Sequence, residues 1–123
     1  MELFLVCLKE KLQFTEKKES ADVTLIRAIL SMIHENYTSE ISRKSIAQAL
    51  GYAEGHISRV FHKYLGVGIS EYINKLRLQQ VERLRQSGDK RKMIELIYEA
   101  GFSSQQTYYR VKSKFAEKTA EKV

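Results

Sequence analysis

Apolar residues recur three and four positions apart along most of this chain. Leu25, Ile26, Ile29, Leu30 and Ile33 form one such stripe, which predicts a helix from about Val23 to Asn36. Ser20 and Asp22 carry side-chain oxygens suited to capping its first turn. Upstream, "ELFLVCLKEKLQF" crowds apolar residues at Leu3 to Leu8, then Leu12 and Phe14. It reads as a short, strongly apolar helix, followed by the polar connector "TEKKESAD". Downstream, the pattern predicts helices over about 43–50, 54–65, 69–86, 91–100 and 104–115. Gly51, Gly66, "SGDK" and Gly101 punctuate them, glycine being the residue that most easily takes the left-handed conformation at a helix end. Ser42 is a good N-cap for the helix at 43–50, although Ser45, three residues on, lacks the acidic group of a full capping box. The long helix at 69–86 places Ile69, Tyr72, Ile73, Leu76 and Leu84 on one side. No segment alternates as a strand does, and proline is absent. The predicted class is all-α.

The chain also repeats itself. Ile46, Leu50, Gly51 and Tyr52 match Leu96, Ala100, Gly101 and Phe102. After the turn the second copy runs one residue longer, so Ile57, Arg59, Val60, Lys63 and Tyr64 match Tyr108, Arg110, Val111, Lys114 and Phe115. Each copy is a short helix, a Gly-aromatic turn and a second helix. Ala47 sits four residues before the first glycine and Ile57 six after it. This is the arrangement a helix-turn-helix needs: a small residue for close helix crossing, glycine for the turn, and an apolar anchor for the second helix. Two copies with the same Arg-Val pair favour paired DNA-binding motifs over paired structural hairpins. The spacer of about eighteen residues, at ~1.5 Å rise, spans roughly 27 Å. With the helix ends added, this approaches the ~34 Å repeat of a DNA major groove.

Charge sharpens this reading. The formal net charge is +6, and it is uneven. Residues 1–40 hold 5 Lys/Arg and 7 Asp/Glu, whereas residues 41–123 hold 16 and 8. A basic region of net +8 suits a polyanion partner as well as a solubilising surface. Cys7 is the only cysteine, so no intramolecular disulfide forms, consistent with a reducing cytoplasm. "LFLVCL" is too short to span a bilayer and lacks the basic region of a signal peptide. His34, His56 and His62 show no metal-ligand spacing, no phosphate-cradling loop is present, and Cys7 has no neighbouring base. The expectation is a cytoplasmic, nucleoid-associated, non-enzymatic protein with no metal and no cofactor.

"IAQALGYAEGHISRVFHKYLGVGISEYINKLRL" and "IELIYEAGFSSQQTYYR" resemble, in order, the two motifs and the linker helix of the AraC/XylS family of bacterial transcription regulators. The likeness covers about residues 25–123, and "SQQT" followed by Arg110 is similar to the MarA, SoxS and Rob type. The resemblance implies a bilobed, seven-helix DNA-binding domain that recruits or positions RNA polymerase. The implied organisation is an N-terminal helix and connector at 1–21, as a remnant of a regulatory domain, and a DNA-binding domain at 22–123. Within the latter the first lobe is about 22–67, the linker helix about 69–86 and the second lobe about 90–123. Carried over by position, Gly55, His56, Ser58 and Arg59 of the first reading helix, and Gln105, Gln106, Thr107 and Arg110 of the second, face base edges. Arginine can bond guanine O6 and N7, and glutamine adenine N6 and N7, whereas Gly55 offers no side-chain readout. Lys63, Lys75, Lys112 and Lys114 are phosphate candidates, each also explicable as a solvated surface lysine. The resemblance assigns Arg77 a structural ion pair.

The chain departs from the family pattern in the second motif. Ile97 stands where a small Ala is usual, Lys112 where a core Phe is usual, Glu117 where a Gly often follows, and Thr119-Ala120 in place of "TP". A lysine in a core phenylalanine's place would forfeit about 3 kcal/mol or more of packing unless its stem snorkels. Tyr108 is expected in the core, standing in for Ile57, and Tyr109 partly exposed. The rival reading is therefore an interaction module whose altered second lobe binds another regulator. The apolar segment before residue 15 fits self-association, a regulatory-domain contact, or simple packing on the first helix of the domain.

Overall fold

The computed structural model describes residues 17–122, with side-chain surroundings for residues 21–116. The predicted N-terminal apolar helix, and Cys7 with it, lies outside the described residues. Six helices and no strand are found among them: α1 (Lys17–Asn36), α2 (Arg43–Leu50), α3 (Glu54–Leu65), α4 (Ile69–Gln86), α5 (Met93–Glu99) and α6 (Gln105–Lys122). None is long and apolar enough to cross a membrane.

The central helices end where the sequence punctuates them. Ser42 caps α2: its hydroxyl accepts from the Ser45 N–H at 3.1 Å, and the Ser45 hydroxyl accepts from the Ser42 N–H at 2.9 Å. The reciprocal box thus closes with a serine at the third position, without the acidic group that the pattern calls for. Gly51 and Gly66 take left-handed conformations, φ 76° and 75°, and end α2 and α3.

The outer helices differ from expectation. α1 is already helical at Lys17, so Ser20 and Asp22 lie inside it and are not its caps. Lys17, Lys18, Glu19 and Ala21 favour helix, and nothing there stops it. α6 continues to Lys122, past the predicted end near Phe115. By the repeat, Glu117 occupies the place of Gly66, so the break that ends α3 is not repeated, and α6 has 18 residues against 12 for α3. The implied seven-helix count therefore does not appear among the described residues.

Two apolar cores form, one per lobe. Ile29, Ile33, Ile46, Ile57 and Phe61, all fully buried, come from α1, α2 and α3, and Ile69 and Ile73 join them from the first half of α4. Val81, Ile97, Ala100, Phe102, Tyr108 and Val111 form the second, smaller core from α4, α5, α6 and the turn between the last two. The linker helix serves both with different faces. Val81 lies about 120° around α4 from Ile69, at ~100° per residue, off the stripe read from the sequence. Tyr108 is buried and Tyr109 half exposed, as expected. Ile97, at the position where the resemblance implies a small Ala, is fully buried.

Phe61 and Lys112 occupy equivalent positions with opposite fates. Phe61 is sealed in the first core, edge-on to Tyr72 at 5.5 Å. Lys112 is exposed, its ammonium 5.9 Å from the Tyr108 ring centroid. Phe61→Ala should cost about 3–5 kcal/mol, whereas Lys112→Ala should cost less than about 1 kcal/mol. Urea unfolding of the two variants checks this contrast.

Candidate nucleic-acid interface

The second helix of each repeat is α3 in the first copy and α6 in the second. Each buries one side: Ile57, Val60 and Phe61 on α3, Tyr108 and Val111 on α6. At ~100° per residue the opposite side holds Gly55, Arg59 and His62 on α3. On α6 it holds Gln106, Tyr109, Arg110 and Ser113. Arg59 and Arg110 are exposed at matching places, and neither makes an ion pair or hydrogen bond among the described residues. Two arginines left without a carboxylate, on the outward side of two equivalent helices, are free to bond an external acceptor.

The remaining candidates fall into different settings. Gln105 and Gln106 are exposed, with Gln106 centred on the outward side and Gln105 on its flank. Thr107 is half-buried and engaged: its hydroxyl lies 2.8 Å from that of Ser104, and its N–H donates to the Ser104 hydroxyl at 3.1 Å. Ser104 thereby caps α6, whereas Ala53, at the N-cap of α3, offers no side-chain cap. The His56 ring is half-buried and stacks on Tyr52, centroids 5.5 Å apart. The Ser58 hydroxyl is buried and lacks a hydrogen-bond partner, so it does not stand on the outward side beside Arg59. Gly55 leaves open space at its Cβ position.

Among the phosphate candidates, Lys63, Lys75, Lys112 and Lys114 are all exposed. Lys114 and Arg110 line a cleft of about 540 Å³ whose other wall includes Asn74 of α4. Lys112 borders another cleft of about 490 Å³ with Arg85, Asp89, Arg91 and Tyr109, a feature that sequence reasoning missed. Arg91 and Asp89 pair at 2.8 Å, which holds the Asp89 carboxyl below its usual pKa. Arg85 pairs with Glu82 at 3.4 Å, so among the described residues lining that cleft Lys112 is a cation without an ion pair. The described residues contain no group of side chains able to hold a metal ion.

Arg77 makes no ion pair among the described residues. Its Nε donates to the Tyr37 carbonyl at 2.7 Å and an Nη to the Ser39 carbonyl at 2.9 Å. Burial lowers its pKa. The planar guanidinium supplies two donors in one fork, so it ties α4 to the turn after α1, where no carboxylate is needed.

A helix-turn-helix domain model matches residues 46–123. The transcriptional activator AarP of Providencia stuartii is 30% identical over 81% of this chain and 73% of its own length. The chain belongs to the AraC/XylS family. The multiple antibiotic resistance protein MarA of Escherichia coli is 29% identical over 76% of this chain and 72% of its own. The C-terminal domain of the response regulator yesN from Fusobacterium nucleatum shares the fold, with a TM-score of 0.65 at 22% identity, over 71% of this chain and 90% of that one. In AraC/XylS terms, α2 with α3 and α5 with α6 are the paired motifs, and α4 is the linker.

Because Ser104 caps the second reading helix, Ser104→Ala should destabilise the protein by about 1 kcal/mol. Thermal unfolding measures that loss. DNA affinity should fall with it, while base preference, read from a panel of duplexes, stays the same.

Proposed function

We propose that the chain reads two successive major-groove segments of duplex DNA with α3 and α6. It is a DNA-binding transcription regulator of the AraC/XylS type, and its relative AarP bears the name of a transcriptional activator. The observation that carries the two-lobe reading is the pair Arg59 and Arg110, exposed and free of carboxylates at equivalent positions. Arg59 in the first lobe, and Gln106 and Arg110 in the second, act as base readers. Gln105 and His56 lie on the margins of the two reading surfaces. Thr107 serves α6 through the Ser104 cap, and Ser58 reads only if its side chain turns outward. Lys63, Lys75, Lys112 and Lys114 bind phosphates and give the affinity its salt dependence. The 18-residue linker, roughly 27 Å long at ~1.5 Å per residue, supports a spacing near one helical turn of DNA. Contact with RNA polymerase, a nucleoid-associated place in the cytoplasm, and self-association or regulatory-domain contact through residues 3–14 go with this reading.

Selection of random duplexes by the purified chain tests it. The expected product is two boxes about one turn apart, ~10 base pairs centre to centre. Gln106→Ala should relax one box and Arg59→Ala the other, each by about 1–3 kcal/mol of base discrimination. A single box unaffected by Gln106→Ala would remove the second lobe as a reader. No enrichment at low salt would overturn direct DNA binding.

A further inference from the structure

Gly51 and Gly101 occupy the same place in the two motifs, and both take positive φ, 76° and 107°. Their surroundings differ completely. A Cβ added at Gly51 would meet nothing within 4 Å. A Cβ added at Gly101 would lie 2.5 Å from the Tyr37 carbonyl oxygen, 2.9 Å from Arg77 Nε and 2.9 Å from Thr38 Cα. The turn of the second motif is therefore seated against the turn that follows α1, in the other lobe. That same Tyr37 carbonyl accepts the Arg77 Nε–H at 2.7 Å, and Arg77 reaches on to the Ser39 carbonyl. The Tyr37 hydroxyl donates to Gln80 Oε1 at 3.2 Å, and Arg83 donates to the same oxygen at 3.0 Å. One short stretch of chain, residues 37–39, is thus held by α4 from one side and by Gly101 from the other.

We propose that this contact is a latch. Gly101, Arg77 and Tyr37 fix the orientation of one lobe on the other, and the latch thereby sets the single box-to-box spacing that the chain accepts. The three are positioning residues and touch no base. The glycine is needed at 101 for space as well as for its φ, because no other side chain admits the Tyr37 carbonyl and the Arg77 fork so close. Two readers held at fixed separation gain from each other only on DNA whose boxes match that separation. A loosened pair accepts several separations and favours none. This inference rests on the two-lobe DNA reading for its consequence, and on the lobe contact alone for its structure.

Two measurements separate those layers. The first is binding to duplexes carrying both boxes with the spacer changed one base pair at a time, beside duplexes carrying one box. The parent chain should prefer one spacing by about tenfold or more. Gly101→Ala and Arg77→Met should flatten that profile to about twofold or less and leave single-box binding intact. Gly51→Ala, strained in φ but free of contact, should keep the parent profile. The second measurement is the lobe-to-lobe distance by electron-spin double resonance, with labels at Gln48→Cys and Glu95→Cys in a Cys7→Ser background. It should be narrow in the parent and in Gly51→Ala, and broad in Gly101→Ala and Arg77→Met. If Gly101→Ala does not fold, Arg77→Met carries the test, since it adds no atom at position 101. Native melting with the parent's distance and spacing profile in both latch variants would overturn the proposal, as would equal broadening by Gly51→Ala. A narrow parent distance that broadens in the latch variants, with no DNA bound by any chain, would sustain the latch and overturn the DNA reading.

Discussion

Everything in this fold depends on α4 being shared. A helix has a limited apolar surface, and here one helix must complete two cores. It does so by turning: Ile69 and Ile73 close the first core, and Val81, on another face of the same rod, closes the second. Neither lobe can be complete without its end of α4, and the rigidity of the rod links their positions. The polar side chains between the two apolar faces then tie the rod to the chain around it. Arg77 takes up two carbonyls of the turn after α1, and Gln80 receives the Tyr37 hydroxyl.

The repeat that made the architecture visible is followed unevenly. In the first lobe α1 covers the core and Phe61 fills it. In the second, Lys112 stands in the open, and a cleft bordered by Arg85, Arg91 and Tyr109 lies beside it. Tyr52 is exposed and stacks on His56, while its counterpart Phe102 is buried edge-on to Tyr108 at 5.4 Å. The second lobe therefore has a smaller core among the described residues, and uses its turn aromatic for packing. Its Gly101 edge rests on the Tyr37–Thr38 backbone of the first lobe.

Much of this was legible in the sequence because it is local. Serine and glycine at helix ends, the 3.6-residue stripes and the fifty-residue offset all act through neighbours a few positions away, and α2, α3 and α4 fall where those signals put them. The misreadings are also local choices, decided by weak preferences. Ser20 and Asp22 look like caps, but the residues before them sustain a helix. Ser45 completes a capping box that is usually written with glutamate. What stayed hidden is what distance in sequence conceals. Val81 lies off the stripe because the second lobe needs a different face of α4. Arg77 bonds carbonyls, which no residue pattern records. Among the candidate readers, the outward placement of Arg59, Gln106 and Arg110 followed from helical periodicity. The burial of the Ser58 hydroxyl and the engagement of Thr107 with Ser104 depended on packing and capping.

The seating of Gly101 on the Tyr37 turn also bears on the order in which the chain folds. Helical hairpins rely on contacts between near neighbours in sequence and form quickly, whereas a contact between residues 37 and 101 closes a long loop. Synthesis runs from the N-terminus, and domains fold as they emerge. α1, its following turn and α4 are complete before Gly101 is joined to the chain. The seating of Gly101 on the Tyr37 turn is thus a late, long-range contact, made after the local hairpins on either side of it.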